Sequence, residues 1–118
     1  MATYFKNVLT SGLGTTETLV MSTPNNATAT IIGLSLTNLT SGVVLASIRL
    51  VQLDDISLPS PAVLGSAYYV KQVAIPPNQS LRVVNGGEKL VLASSMKVLV
   101  QSNVDSSLDL VMSYAQII

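Results

Sequence analysis

The chain contains no cysteine, no histidine and no tryptophan. Without cysteine there is no disulfide and no thiolate metal site. Without histidine there is no imidazole acid–base chemistry near neutral pH. Charge is also scarce. Six basic and six acidic residues cancel, and only 10% of the chain is charged, against about 25% in an average soluble domain. A surface that neutral is prone to association. The absence of a basic cluster argues against nucleic-acid binding. The longest apolar runs, such as "IIGLSL" and "GVVLASI", fall far short of the ~20 residues of a membrane-spanning helix. The opening "MATYFKNVLTSGLG" lacks the charged start and apolar core of a signal peptide. Neither a membrane span nor a secretory leader is therefore expected.

What remains is aliphatic. Hydrophobic residues make up 48% of 118 residues, while aromatics make up 4%. That length fits one domain, 1–118, with enough volume for its own core. Strand signals run along almost all of it: β-branched and aliphatic residues in alternation, interrupted by Gly, Pro, Asn and Ser at short intervals. The reading places strands at 3–9, 15–21, 28–38, 43–53, 67–75, 79–84, 88–93, 96–102 and 108–117. It is an all-β chain of eight or nine strands with turns every 8–12 residues, the pattern of an antiparallel β-sandwich, jelly-roll-like or immunoglobulin-like.

The alternation assigns faces. Ile32, Leu34 and Leu36 share one side of their strand, with a bulge or close packing expected at Gly33. Val44, Ala46, Ile48 and Leu50 share another; so do Met96, Val98 and Val100, and Leu108, Leu110, Met112 and Tyr114. "IPPN" and "VNGGE" read as chain reversals, the second as a hairpin joining 79–84 to 88–93. Lys71, Arg82, Lys89 and Lys97 are expected on one exposed face or edge. Residues 54–66, "DDISLPSPAVLGS", hold two prolines and a glycine and read as a long connection, the first candidate for a contact loop.

The residues offer little chemistry. The carboxylates are Glu17, Asp54, Asp55, Glu88, Asp105 and Asp109. Asp54 and Asp55 are neighbours in an extended chain and point apart, so they form no acid–base pair. "NVDSSLD" has oxygens but not calcium-loop spacing and reads as an Asx-type turn. "NGGEK" lacks the spacing and following helix of a phosphate loop. The three Asn-x-Ser/Thr triplets, at Asn26, Asn38 and Asn78, are expected by chance in so Asn- and Ser/Thr-rich a chain. No catalytic residue, metal ligand or cofactor is expected, and the chain reads as non-enzymatic.

The second half has a recognisable order: "YYVKQVAIPPNQSL", then "GGEKLVL", then "KVLVQS", then "LDLVMSY". It resembles small structural proteins of tailed bacteriophages, cyanophages among them. The first half, "YFKN" and "IIGLSLTNLT", is similar in kind. The resemblance implies a virion component, assembled in the cytoplasm of the bacterial host. Its leading form is a decoration or cement protein that bridges major capsid subunits. A neck, tail or baseplate subunit is the alternative, and a host-surface or carbohydrate-binding β-module is the alternative from another class. The partners implied are copies of itself, as a trimer or dimer, and the major capsid protein or other virion proteins, with no nucleic acid and no membrane. The expected contact residues are Tyr4 and Phe5 in the segment Ala2–Leu9, Asp54, Asp55, Leu58, Pro59 and Pro61 in the long connection, and Tyr68. In the adjacent pair Tyr68–Tyr69 one ring must point in and the other out.

Overall fold

A computed structural model describes residues 2–84 and 89–118. Nine strands follow in order: β1 Thr3–Leu13, β2 Thr18–Ser22, β3 Thr28–Asn38, β4 Val44–Leu53, β5 Val63–Ile75, β6 Ser80–Val84, β7 Leu90–Leu92, β8 Met96–Ser102 and β9 Leu108–Ile117. They form two antiparallel sheets. Sheet A has the order β1-β9-β3-β6, with β7 also on β3; sheet B has the order β2-β8-β4-β5. Among the described residues no helix is long and apolar enough to cross a membrane.

The expected all-β antiparallel sandwich is the fold, and the strand order makes it a jelly roll. Among the described residues only β4 and β5 are neighbours both in sequence and in a sheet; most connections cross from one sheet to the other. An immunoglobulin order would keep more consecutive strands side by side.

This order overturns the expected hairpin. β6 and β7 both pair antiparallel with β3, β6 along Leu34–Thr37 and β7 along Ala29–Ile31. They therefore run in the same direction, end to end, as one interrupted strand. An eleven-residue β3 has edge enough for both. The Asn85-Gly86-Gly87 turn itself lies outside the described residues. The Pro76-Pro77-Asn78 reversal carries the chain from sheet B to sheet A.

The core lies between the sheets. Val44, Ala46, Ile48, Val98, Val100, Leu108, Leu110 and Met112 are all buried, as their alternation requires. Leu50 and Met96 are half-buried against that core. The β3 face is shifted. Ile31, not Ile32, is fully buried, followed by Leu34 and Leu36. A register break between Ile31 and Gly33 against β9 inserts Ile32 as an extra residue. That bulge moves the inward series by one position, so Ile32 is exposed although Leu34 and Leu36 are not. The bulge falls where Gly33 marks it.

Three boundaries also move. β1 continues through the Thr10–Leu13 glycine break, with Gly12 at φ 68 absorbing a register shift. β2 starts at Thr18 rather than Thr15. β5 begins at Val63, so the last residues of the long connection are strand, laddered to Leu53 and Gln52.

Candidate functional site

Asp54, Asp55, Asp105 and Asp109 sit where they close loops. Asp54 Oδ1 accepts the backbone N–H groups of Asp55 and Ala62 at 2.7 and 2.9 Å, drawing the 54–62 connection together. Asp55 Oδ1 accepts from Ser57 N–H and O–H at 3.0 and 2.6 Å, and from Asn25 across the loop at 3.2 Å. Asp105 accepts from the Thr15 hydroxyl at 2.8 Å, and Asp109 from the Gly12 N–H at 3.1 Å. Both therefore tie their turn to the end of β1 and the loop that follows it. Glu17 and Arg49 form a two-pronged pair at 2.9 and 2.6 Å. It is partly exposed and worth about 0–1 kcal/mol. Among the described residues no three acidic, histidine or cysteine side chains converge as metal ligands.

The hydrogen bonds from Ser57 hold the Asp55 carboxyl below its ordinary value of 3.8, with Asn25 adding to the same effect. A lowered folded-state value means that its contribution is complete above the ordinary aspartate range and is lost as pH falls through the lowered value. The loop closure should therefore persist at neutral pH and weaken only in acid below about pH 4. An NMR titration of the Asp55 carboxyl should give a midpoint under 3.8, and Ser57→Ala should move it back up.

The expected contact residues fall into two groups. Asp54, Asp55, Leu58, Pro59 and Pro61 lie in the connection before β5; Leu58 and Pro59 are exposed, while Asp55 and Pro61 are half-buried. Tyr68 follows on β5, opposite Arg49 and 47% exposed, while Tyr69 packs against the core. Lys71 places its ammonium 5.0 Å from the centre of the Tyr68 ring, within cation–π range. Tyr4 and Phe5 lie on β1. The segment Ala2–Leu9 is not a detachable arm, because Thr3 to Leu9 are laddered residue by residue to Ile117 through Val111.

Sequence reasoning missed the feature that links these residues. Seven successive residues, Ala62–Tyr68, are exposed. A strand normally hides one face. β5 spans 13 residues, and its first half is left bare on both sides. Val63 and Leu64 are 62% and 67% exposed. On β1, which has 11 residues against 5 in β2, Thr3–Asn7 are likewise all exposed. Composition did not mark it: the run "AVLGSAYYV" is no more free of charges and amides than "ATATIIGLSLT", which forms the buried β3.

The outer face of sheet A is a third feature. The register aligns Phe5, Ala115, Thr30 and Val91 in one row and Leu9, Val111, Ser35 and Arg82 in another. Phe5, Leu9, Val91 and Val111 are 79%, 72%, 68% and 49% exposed. Between the rows Gly33, Ser35 and Ser113 leave an open hollow of about 320 Å³, walled by Ile32, Val111 and Arg82. It has no aromatic ring in its lining, unlike a sugar-stacking groove. The four cations do not share a face. Lys71 is on β5 and Lys97 on β8 of sheet B, whereas Arg82 is on β6 and Lys89 immediately precedes β7 in sheet A.

No family model matches the chain, and no curated protein matches it. Among solved structures, the crystal structure of PirA is similar over 96% of this chain and 92% of that one, at 12% identity and a TM-score of 0.40. A likeness that distant carries no argument about function.

Proposed function

We propose that this chain is a non-enzymatic structural subunit of a tailed-phage virion, most directly a decoration or cement protein on the head exterior that bridges neighbouring major capsid subunits. The observation that carries an assembly role is the bare half of β5. Val63–Tyr68 is strand, exposed on both sides and without a charge. Ordering a residue costs about 1–2 kcal/mol of backbone entropy, and an isolated chain recovers little of that where no side chain is buried. A partner that covers Val63, Leu64 and Tyr68 adds roughly 25 cal/mol for each Å² of apolar surface removed from water. The virion assignment comes from the phage-like order of motifs in the second half, and the low charge and absence of cysteine suit a part that folds in a reducing host cytoplasm.

Mass spectrometry of purified particles tests the reading. A copy number in the hundreds fits the head, and a dozen or fewer moves the subunit to the neck or tail. Absence from particles overturns the reading. Leu64→Asp should release the subunit from particles while leaving its thermal unfolding unchanged, because Leu64 is 67% exposed in the isolated chain.

A further inference from the structure

β1 is an edge strand whose protection is a single charge, Lys6. Among the described residues it pairs only with β9, and its register is regular from Thr3 to Thr10. Natural edges are blunted by prolines, bulges, charges or a covering segment. β5, the edge of the other sheet, carries three register breaks against β4, with Gln72 at φ 51 beside one of them. β1 has no break before Thr10 and no proline, and Lys6 is its sole charged residue.

The direction of its free backbone groups follows from the ladder. Ala2 and Ile118 exchange both backbone bonds, at 3.0 and 2.9 Å. Bonded and non-bonded pairs alternate along an antiparallel ladder. Tyr4, Lys6 and Val8 therefore turn their N–H and C=O groups toward β9, while Thr3, Phe5, Asn7 and Leu9 turn theirs toward the open edge.

We propose that β1 pairs antiparallel with β1 of a second copy of this chain, about a twofold axis through Asn7, so that the two copies of sheet A become one continuous sheet. The side chains set the register. An isologous pair requires each residue to meet a residue of its own face. Centring on Asn7 sets Phe5 opposite Leu9 on the outer face, twice, and Lys6 opposite Val8 on the inner face, twice. Centring on Lys6 sets two ammonium groups against each other, which is destabilising. Centring on Val8 leaves Phe5 opposite Ser11 and Leu9 opposite Asn7. The chosen register also matches the backbone. Asn7 with Asn7, and Phe5 with Leu9, are the positions whose N–H and C=O groups face the open edge, so each pair exchanges both bonds.

Three observations favour a second copy over another partner. The pattern Phe5-x-Asn7-x-Leu9 is self-complementary about its centre. The formal charge of zero leaves no net repulsion between copies. The pairing also brings together, across the axis, the two most exposed apolar side chains of sheet A, Phe5 at 79% and Leu9 at 72%. A strip from residue 3 to residue 11 is about 30 Å long. Side-by-side pairing covers that edge rather than either face, on the order of 300 Å² per copy, so the two Phe5–Leu9 pairs carry most of the apolar contact. The inference stands on the β1 edge alone, independently of the virion reading.

Sedimentation equilibrium of the purified full chain should give twice the 12.4 kDa chain mass. Phe5→Lys with Leu9→Lys places like charges opposite each other and should return the monomer mass with unchanged far-UV circular dichroism. Phe5→Lys with Leu9→Glu places opposite charges across the axis at the same positions and should restore the dimer in a salt-sensitive form. Asn7→Cys introduces the only cysteine, facing its own copy at the ~5.5 Å Cα spacing of a bonded pair, and should oxidise to a covalent dimer. A wild-type monomer at hundreds of micromolar overturns the proposal. So does a double-lysine variant that stays dimeric, or a Lys/Glu variant that stays monomeric while Asn7→Cys fails to cross-link.

Discussion

Replacing Asn38 with alanine is expected to cost the fold about 2–4 kcal/mol and to lower the melting temperature by roughly 10 °C. Asn38 is 1% exposed at the end of β3. Its amide donates to the carbonyls of Gly42, Ile75 and Pro76 at 2.8, 2.9 and 3.2 Å. Its oxygen accepts from the N–H and O–H of Thr40, both at 2.8 Å. One side chain thus shapes the β3–β4 turn and fastens it to the end of β5 in the opposite sheet. Alanine would leave the Ile75 carbonyl and the Thr40 N–H without these partners, at about 1–3 kcal/mol for each buried group that stays unsatisfied. Asn38→Asp is a sharper test. It keeps the acceptor for Thr40 but aims a carboxylate at three carbonyl oxygens, so burial and repulsion favour its protonated form. A raised folded-state value means that its penalty grows as pH rises and is smallest in acid. Urea unfolding of both variants at pH 7 and pH 4 would check this. A loss under about 0.5 kcal/mol for Asn38→Ala, the size of an ordinary surface change, would show that the network carries no weight.

Ile48→Ala should be comparably damaging, at about 2–5 kcal/mol, and Ile48→Val should cost about 0.5–1.5 kcal/mol. Ile48 is fully buried and lies on β4 between Val70 of β5 and Val100 of β8. It faces the opposite sheet from an interior position of sheet B, where neighbours bonded into two ladders cannot close around a lost side chain. The cavity term should therefore add nearly in full to the transfer term. Val91→Ala is the control. Val91 is 68% exposed on β7, and its loss should change stability by no more than about 0.5 kcal/mol. Chemical denaturation of the three variants should separate them in that order.

Asn38 also shows how a local signal misleads. In sequence it heads an Asn-x-Thr triplet, one of three that composition explains. In the fold both polar residues of that triplet, Asn38 and Thr40, are bonded to each other inside a turn. Nothing within five residues shows that the carbonyl of Ile75 will arrive there. The same holds for Ser102 and Ser107, buried with their hydroxyls 2.8 Å apart, each 2.6 Å from the Val104 carbonyl. In sequence Ser102 reads as the end of a strand and Ser107 as a turn residue.

The sequence by itself determined the class of fold and most of the core. Alternation with a period of two is a local property of each strand, so Val44, Ala46, Ile48, Val98, Val100, Leu108, Leu110 and Met112 could be read without knowing any partner. It located the irregularity at Gly33, but not that the inserted residue would be Ile32. Only the tertiary structure decided which strands pair. The expected hairpin between 79–84 and 88–93 gave way because β3 offered both segments a longer edge. Only the tertiary structure decided what is left uncovered. The exposure of Ala62–Tyr68 and Thr3–Asn7 depends on what the opposite sheet brings over each strand, which is set by segments far apart in the chain.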